Sequence, residues 1–349
     1  MKNCSPIFIF GTERSGSNLL RVILDSHSSI AVPHPTGFIT DFFKVEGLYG
    51  DLDQDRNFKQ LVKDMVTHVN LHNNPWPVKL DPRKIYSSCQ DRSGLAIFEQ
   101  IYSLNATVQN KRRWGCKNLR LFCYFQRVVD FFPNAQFIYL IRDPRDVALS
   151  YKKVSYWNRN IMSSAQAWSR DQRTGIQLIE SYPSQVFFIK YEDLIRTPRE
   201  VIKKNCDFLG ESFEPTMLDY YKNQEARKSS VASQAWQNIG SPIIRDNTQK
   251  YKKELTPLEI EIIEKITYKE MVHFGYLLDY YKPRFNDFQA YSFPISHKVF
   301  IYFNHVKCYL KSMRGNLIRL DEYLRRRKKT LVLSLIFLRC LLNRLRMMF

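Results

Sequence analysis

No C-x-x-C pair occurs in the chain, and its seven cysteines (Cys4, Cys89, Cys116, Cys123, Cys206, Cys308 and Cys340) are scattered and odd in number. That argues against a disulfide framework or a zinc site and for a reducing compartment. Long apolar runs are missing too. The run Leu331 to Leu338 is eight residues long before Arg339 interrupts it, far short of the roughly 20 residues a spanning helix needs. With no apolar h-region near Met1, the expected location is cytoplasmic. Glycine (12) and proline (15) are too sparse in 349 residues for a collagenous chain, while 44% hydrophobic and 14% aromatic residues exclude a disordered one. Acidic residues are short: 34 against 53 Lys and Arg, for a formal charge of +19. Residues 282–349 hold 15 basic and 3 acidic side chains, which suits an anionic surface, whereas the milder excess before them suits an anionic ligand.

Against these absences, one grammar repeats. Pro6-Ile7-Phe8-Ile9-Phe10 is a β-branched and aromatic run that stops at Gly11, and an apolar helical pattern follows through Leu19, Leu20, Val22, Ile23 and Leu24. The same order of strand, loop and helix recurs at Phe137–Ile141 ahead of Val147-Ala148-Leu149, and at Val186–Tyr191 ahead of a helix that Pro198 opens and Gly210 closes. Continuous apolar strands indicate a sheet buried on both faces, and helices between them imply parallel crossovers. The expected fold is therefore α/β: a central parallel sheet flanked by helices, among them 57–70, 93–104, 119–132, 164–181 and 257–272. The polar stretch 222–255 reads as a long loop. Domain organisation is expected as 1–281 for the α/β unit and 282–349 for a basic helical C-terminal extension.

Chemistry concentrates in two loops. Gly11-Thr12-Glu13-Arg14-Ser15-Gly16-Ser17-Asn18 lies where a strand turns into a helix, so that backbone N–H groups and the helix dipole converge on one spot. A Walker A loop would place Lys and then Ser or Thr after the second glycine; here Ser17 and Asn18 stand there. What remains is a hydroxyl-rich turn beside Arg14, able to grip a tetrahedral anion, although a serine-capped helix has the same local pattern. In the second segment, Arg142 ends a strand and Ser150 follows two helical turns later, so both can converge on a further anion. Arg145 and Asp146 read as a salt-bridged turn.

Together these segments resemble the sulfotransferase family, in the branch of the carbohydrate and tyrosyl-protein enzymes, which use 3′-phosphoadenosine 5′-phosphosulfate (PAPS) as donor. The resemblance covers roughly residues 6–280 and implies a P-loop-like fold. By it, Arg14, Ser15, Gly16, Ser17, Asn18 and Leu19 match the 5′-phosphosulfate loop, and Arg142 with Ser150 match the 3′-phosphate site. Lys190-Tyr191-Glu192-Asp193-Leu194 is similar to the family's R-Y-E-D-L segment, which brings Tyr191 near the nucleotide. Arginine at position 14 is shared with the carbohydrate and tyrosyl-protein branch, whereas the cytosolic small-molecule branch has lysine. Trp114-Gly115-Cys116-Lys117-Asn118 resembles the family's G-x-K-x-P segment without its proline, so Lys117 is a second cation for the bridging oxygen.

Sulfuryl transfer also needs a base. The stretch 26–37 stands where related enzymes often carry a glutamate, and there the candidate is His34, ahead of His27, which sits at a helix end. Glu13 is expected to orient an arginine. The implied reaction is metal-free transfer from PAPS to a hydroxyl of a saccharide, glycolipid or other lipid. Two alternatives stand beside it: a degenerate P-loop kinase, which predicts magnesium-ATP binding, and a non-catalytic scaffold docking on membrane. The block Arg325-Arg326-Arg327-Lys328-Lys329 beside an apolar segment points to an anionic membrane surface for residues 325–349, hence a peripheral location, rather than to nucleic acid.

Overall fold

A computed structural model describes residues 5–72, 74–119, 121–153, 160–232, 234–281, 331, 332, 334–336, 338 and 339. The first half runs β1 (Ile7–Gly11), α1 (Ser17–Asp25), β2 (Ile30–Ala31), α2 (Phe38–Phe42), α3 (Asp55–Asn70), α4 (Pro82–Ser88), α5 (Gly94–Val108) and β3 (Arg113–Lys117). Then follow α6 (Phe125–Phe131), β4 (Gln136–Ile141), α7 (Pro144–Lys153), α8 (Ile161–Ser181), β5 (Val186–Lys190), α9 (Tyr191–Arg196), α10 (Pro198–Leu209), α11 (Gln224–Ala232), α12 (Tyr251–Glu254) and α13 (Pro257–His273). The strands form one parallel sheet in the order β2-β3-β1-β4-β5, with β1 central, Ile9 beside Lys117 on β3 and beside Ile138 on β4.

The pleat explains the continuous apolar runs. Ile7 and Ile9 pack on one face with Leu20 and Ile23 of α1 and Leu194 of α9. Phe8 and Phe10 face the other way, onto Phe98, Phe125, Phe137 and Tyr139. Leu20, Ile23 and Leu24 are fully buried, each worth about 1.5–3 kcal/mol of transfer free energy. This burial seats the start of α1 firmly at the carboxyl end of β1, where open α/β sheets bind ligands.

The expected parallel α/β core is present, and four of the helical stretches are found as α3, α5, α8 and α13. Stretch 119–132 instead divides into a 3-10 turn at Leu121–Tyr124 and a short α6. The expected loop 222–255 is corrected. It contains α11, a 3-10 helix at Gln234–Gly240 and α12, held by contacts from distant parts of the chain. The Arg21 guanidinium, buried on α1, donates to Glu225 at 2.9 Å and to Ser229 Oγ at 2.7 Å, both on α11. Asp146 on α7 accepts from the backbone N–H of Gln249 at 2.7 Å and of Tyr251 at 3.1 Å. Arg145 has the structural role expected of it, donating to Asp143 at 2.7 Å, Glu264 at 2.7 Å and Asp279 at 3.2 Å.

Most of the expected C-terminal extension, residues 282–330 and 340–349, lies outside the described residues. Between them, residues 331, 332, 334–336, 338 and 339 are helical and lie against the body, with Ile336 in the main core cluster. Among the described residues no helix is long and apolar enough to cross a membrane.

Candidate active site

The loop from Gly11 to Ser17 turns tightly, with the Ser15 N–H donating to the Thr12 carbonyl at 3.3 Å. Arg14 (φ 72°) and Gly16 (φ 91°) both adopt the left-handed conformation. Gln172 of α8 fixes the loop from below by donating to the Thr12 hydroxyl at 2.7 Å, and itself accepts from Tyr139. Gly16 is the N-cap of α1, no side chain caps that helix and no acid stands in its first turn. The first-turn amides and the positive dipole end are thereby left to an incoming anion.

Gly16 is required twice over. Its φ is one that side-chain-bearing residues rarely adopt, and a Cβ there would come within 2.3 Å of the edge of the Tyr191 ring. We predict that Gly16→Ala destabilises the protein by about 2–4 kcal/mol and displaces Tyr191. Thermal denaturation checks this; an unchanged melting temperature would mean that the loop conformation is not obligatory.

The loop and the ends of β3, β4 and β5 surround a cavity of about 490 Å³. Arg14, Gly16, Ser17, Asn18, Leu19, Lys117, Arg142, Ser150 and Tyr191 all line it. Arg14 Nε donates to Ser150 Oγ at 2.9 Å, joining the two predicted loops across 136 positions. The Arg142 guanidinium lies 4.4 Å from the centre of the Tyr191 ring and donates to the Asn247 carbonyl at 2.9 Å, while the Asn247 amide donates to the Tyr191 hydroxyl at 2.6 Å. Glu192 holds the neighbouring turn, accepting from the Asp143 N–H and the Tyr276 hydroxyl, both at 2.9 Å. Glu13 accepts from the Tyr151 hydroxyl at 2.7 Å.

Ser15 lies beneath the cavity wall. Its Oγ, with Asn18 Oδ1 and Arg142 Nε, is a buried polar atom lacking a hydrogen-bond partner among the described residues. Each such group costs about 1–3 kcal/mol when left unpaired; the Ser15 hydroxyl and the Arg142 Nε–H can donate to a charged oxygen, whereas Asn18 Oδ1 can only accept. Lys117 ends β3 and is buried. Burial first, then the Arg21 charge, pushes its ammonium down to about 7, with Glu13 opposing and Arg14 adding to the repulsion.

His34 stands apart from that set. It lines a second cavity, of about 580 Å³, with Trp76, Asp25 and Glu225. Its ring centre is 5.1 Å from those of both His72 and Trp236, and Trp236 is part of the first cavity's wall. The Trp236 indole thus touches both the His34 ring and the first cavity. Burial, followed by the charges of Arg21, His72 and Lys117, holds the His34 imidazole well below 6.5. Nδ1 is 3.3 Å from the Pro35 carbonyl, and Nε2 is buried with no partner among the described residues. In the neutral tautomer that donates from Nδ1, Nε2 keeps a lone pair for a proton. His27 differs: Nδ1 accepts from the Ser29 N–H at 3.0 Å and Nε2 faces the Ser212 carbonyl at 2.9 Å, so both nitrogens are engaged.

Sequence reasoning missed Arg21, Trp236 and Asn247. A lone arginine inside Leu19-Leu20-Arg21-Val22-Ile23-Leu24 and a tryptophan inside a polar stretch were the available signals. A sequence profile of the sulfotransferase family matches residues 6–215. The chain belongs to the sulfotransferase family. An uncharacterized protein of Aquifex aeolicus (strain VF5) is 26% identical over 274 residues, which are 74% of this chain and 32% of that protein. The sulfotransferase chain thus spans about a third of that relative's length. Among solved structures, the sulfotransferase domain from the curacin biosynthetic pathway superposes with a TM-score of 0.57 at 21% identity, covering 80% of this chain and 100% of that one. The sulfotransferase domain of the Synechococcus PCC 7002 olefin synthase gives 0.57 at 22% identity, with 80% and 98% covered. At these identities the likeness concerns the fold: the central parallel sheet and flanking helices are those of a sulfotransferase.

Proposed function

We propose that the first cavity binds PAPS and that the protein transfers its sulfuryl group to a hydroxyl of a saccharide, glycolipid or other lipid. The observation that carries this reading is the Arg14–Ser150 hydrogen bond, which joins the two loops on the wall of a cavity that Lys117, Arg142 and Tyr191 also line. PAPS, when bound, supplies a sulfuryl group on a phosphate bridge. The first-turn amides of α1 and the Ser17 hydroxyl would hold its 5′ end, with Asn18 and Leu19 shaping the wall and Ser15, buried behind it, supporting the turn. Arg142 and Ser150 would take the 3′-phosphate, and Tyr191, stacked on Arg142, would keep that guanidinium aimed. Arg14 and Lys117 would place positive charge where the departing oxygen becomes anionic. His34 Nε2 would accept the acceptor hydroxyl's proton.

Calorimetric titration with the product 3′-phosphoadenosine 5′-phosphate, beside AMP and ATP and without magnesium, tests the donor. Binding is expected with the product but about 10–100-fold weaker in Arg142→Ala, the worth of a charged hydrogen bond, while AMP binds both proteins alike. A preference for magnesium-ATP would overturn the reading in favour of a kinase-like protein.

A further inference from the structure

The helical residues between 331 and 339 present two faces of opposite fate. One is docked: Ile336 is buried in the main core cluster with Val332 packed beside it. Arg339 forms an ion pair with Asp64 of α3 and lies 5.5 Å from the centre of the Tyr49 ring. Asp64 accepts from the Tyr49 hydroxyl at 2.7 Å as well, so the docking point is itself braced. The neighbouring face is open. Leu331, Leu335 and Leu338, at spacings of four and three, form a stripe on which each is more than half exposed (59%, 55% and 51%), with Ser334 exposed among them. Positions three and four apart share one face of a helix.

We infer that this stripe inserts into the surface of an anionic phospholipid bilayer and holds the protein there. The flanking sequence selects that occupant. Arg325-Arg326-Arg327-Lys328-Lys329 lies just before the stripe and Arg344 and Arg346 just after it, in a stretch with 15 basic and 3 acidic side chains. A second copy of the chain would oppose this charge with its own, whereas lipid phosphates attract it. Each basic side chain near a negative surface strengthens partitioning by about fivefold, and leucines buried at the acyl boundary add an apolar contribution that salt does not screen. Because Ile336 and Arg339 fix the helix to the body, insertion would set the orientation of the whole domain on the membrane, whatever its acceptor.

Co-sedimentation of the full chain with vesicles tests this. Binding is expected with phosphatidylcholine mixed with phosphatidylserine, weakened by salt, and absent with phosphatidylcholine alone. The variant Leu331→Ser/Leu335→Ser/Leu338→Ser should bind mixed vesicles at least tenfold less while keeping its melting temperature and its affinity for 3′-phosphoadenosine 5′-phosphate. Equal binding by that variant, or binding indifferent to phosphatidylserine, would overturn the inference. So would a dimer in light scattering that the three substitutions dissociate, which would give the stripe to a second copy.

Discussion

Lys117→Ala is expected to lower turnover by about 10²–10³-fold, the cost of removing one preorganised charge from a transition state in a low-dielectric site, with the fold retained. The side chain ends β3 beside Arg14 on the cavity wall, so its loss leaves Arg14 as the remaining cation proposed for the leaving oxygen. Burial also gives this residue a signature that a structural lysine on the surface would not show. Its pKa is pushed down to about 7 in the absence of an anion; a bound phosphosulfate or phosphate would raise it toward the ordinary value of about 10.4. Below pH 7 the amine is already protonated and binding takes up no proton. Above pH 7 the ligand selects the protonated form, so affinity for 3′-phosphoadenosine 5′-phosphate should fall by up to about tenfold per pH unit until the liganded pKa is passed. Titrations in buffers of different ionisation enthalpy measure that uptake directly, and Lys117→Ala should abolish it. Wild-type binding without proton uptake at pH 8, or a variant turning over within a few-fold of wild type, would remove Lys117 from the site.

The parts of the fold visible from sequence are those whose cause is local. Ile7–Phe10 and Phe137–Ile141 are apolar at every position because each face of the sheet is covered, and no other arrangement explains such runs as economically. Strand β3 has no such signal. It begins with Arg113 and ends with Lys117, both buried, and Arg113 is satisfied by the carbonyls of Ser5 and Leu209, at 2.6 Å each, from far along the chain. The covering segment 224–254 was illegible for a related reason: its order depends on Arg21 reaching Glu225 across 204 positions and on Asp146 reaching two amides about a hundred positions away. Polar composition alone describes a loop, whereas the ion pair from buried Arg21 to Glu225 holds part of it, helix α11, against α1.

At the site, the strand-end loops were legible because an anion grip needs amides, hydroxyls and a cation within a few residues. Arg142 and Ser150 could be paired from their spacing, but the bond from Arg14 to Ser150 could not. Position 34 shows the limit most clearly. Its place after α1 suggests a position on the first cavity, yet His34 lines the second one, and the Trp236 that packs against its ring and lines the first comes from some 200 positions later.

That indole defines the second large effect. His34→Gln is expected to lower turnover by about 10²–10⁴-fold, the range for losing a general base, with affinity for 3′-phosphoadenosine 5′-phosphate within a few-fold of wild type because His34 does not line the first cavity, where we propose the donor binds. The pH profile separates this role from a packing one. Burial and the charges of Arg21, His72 and Lys117 hold the imidazole well below 6.5, so it stays neutral through the physiological range and turnover should be flat on the acid side until well under that value. In His34→Gln this acid limb should vanish along with the rate. Trp236→Ala supplies the positional control: the indole packs against the His34 ring and lines the first cavity, so its removal should change the acceptor KM. Full turnover in His34→Gln, or an acid limb that persists unchanged, would assign proton removal to another group and leave His34 as a buried ring packed between His72 and Trp236.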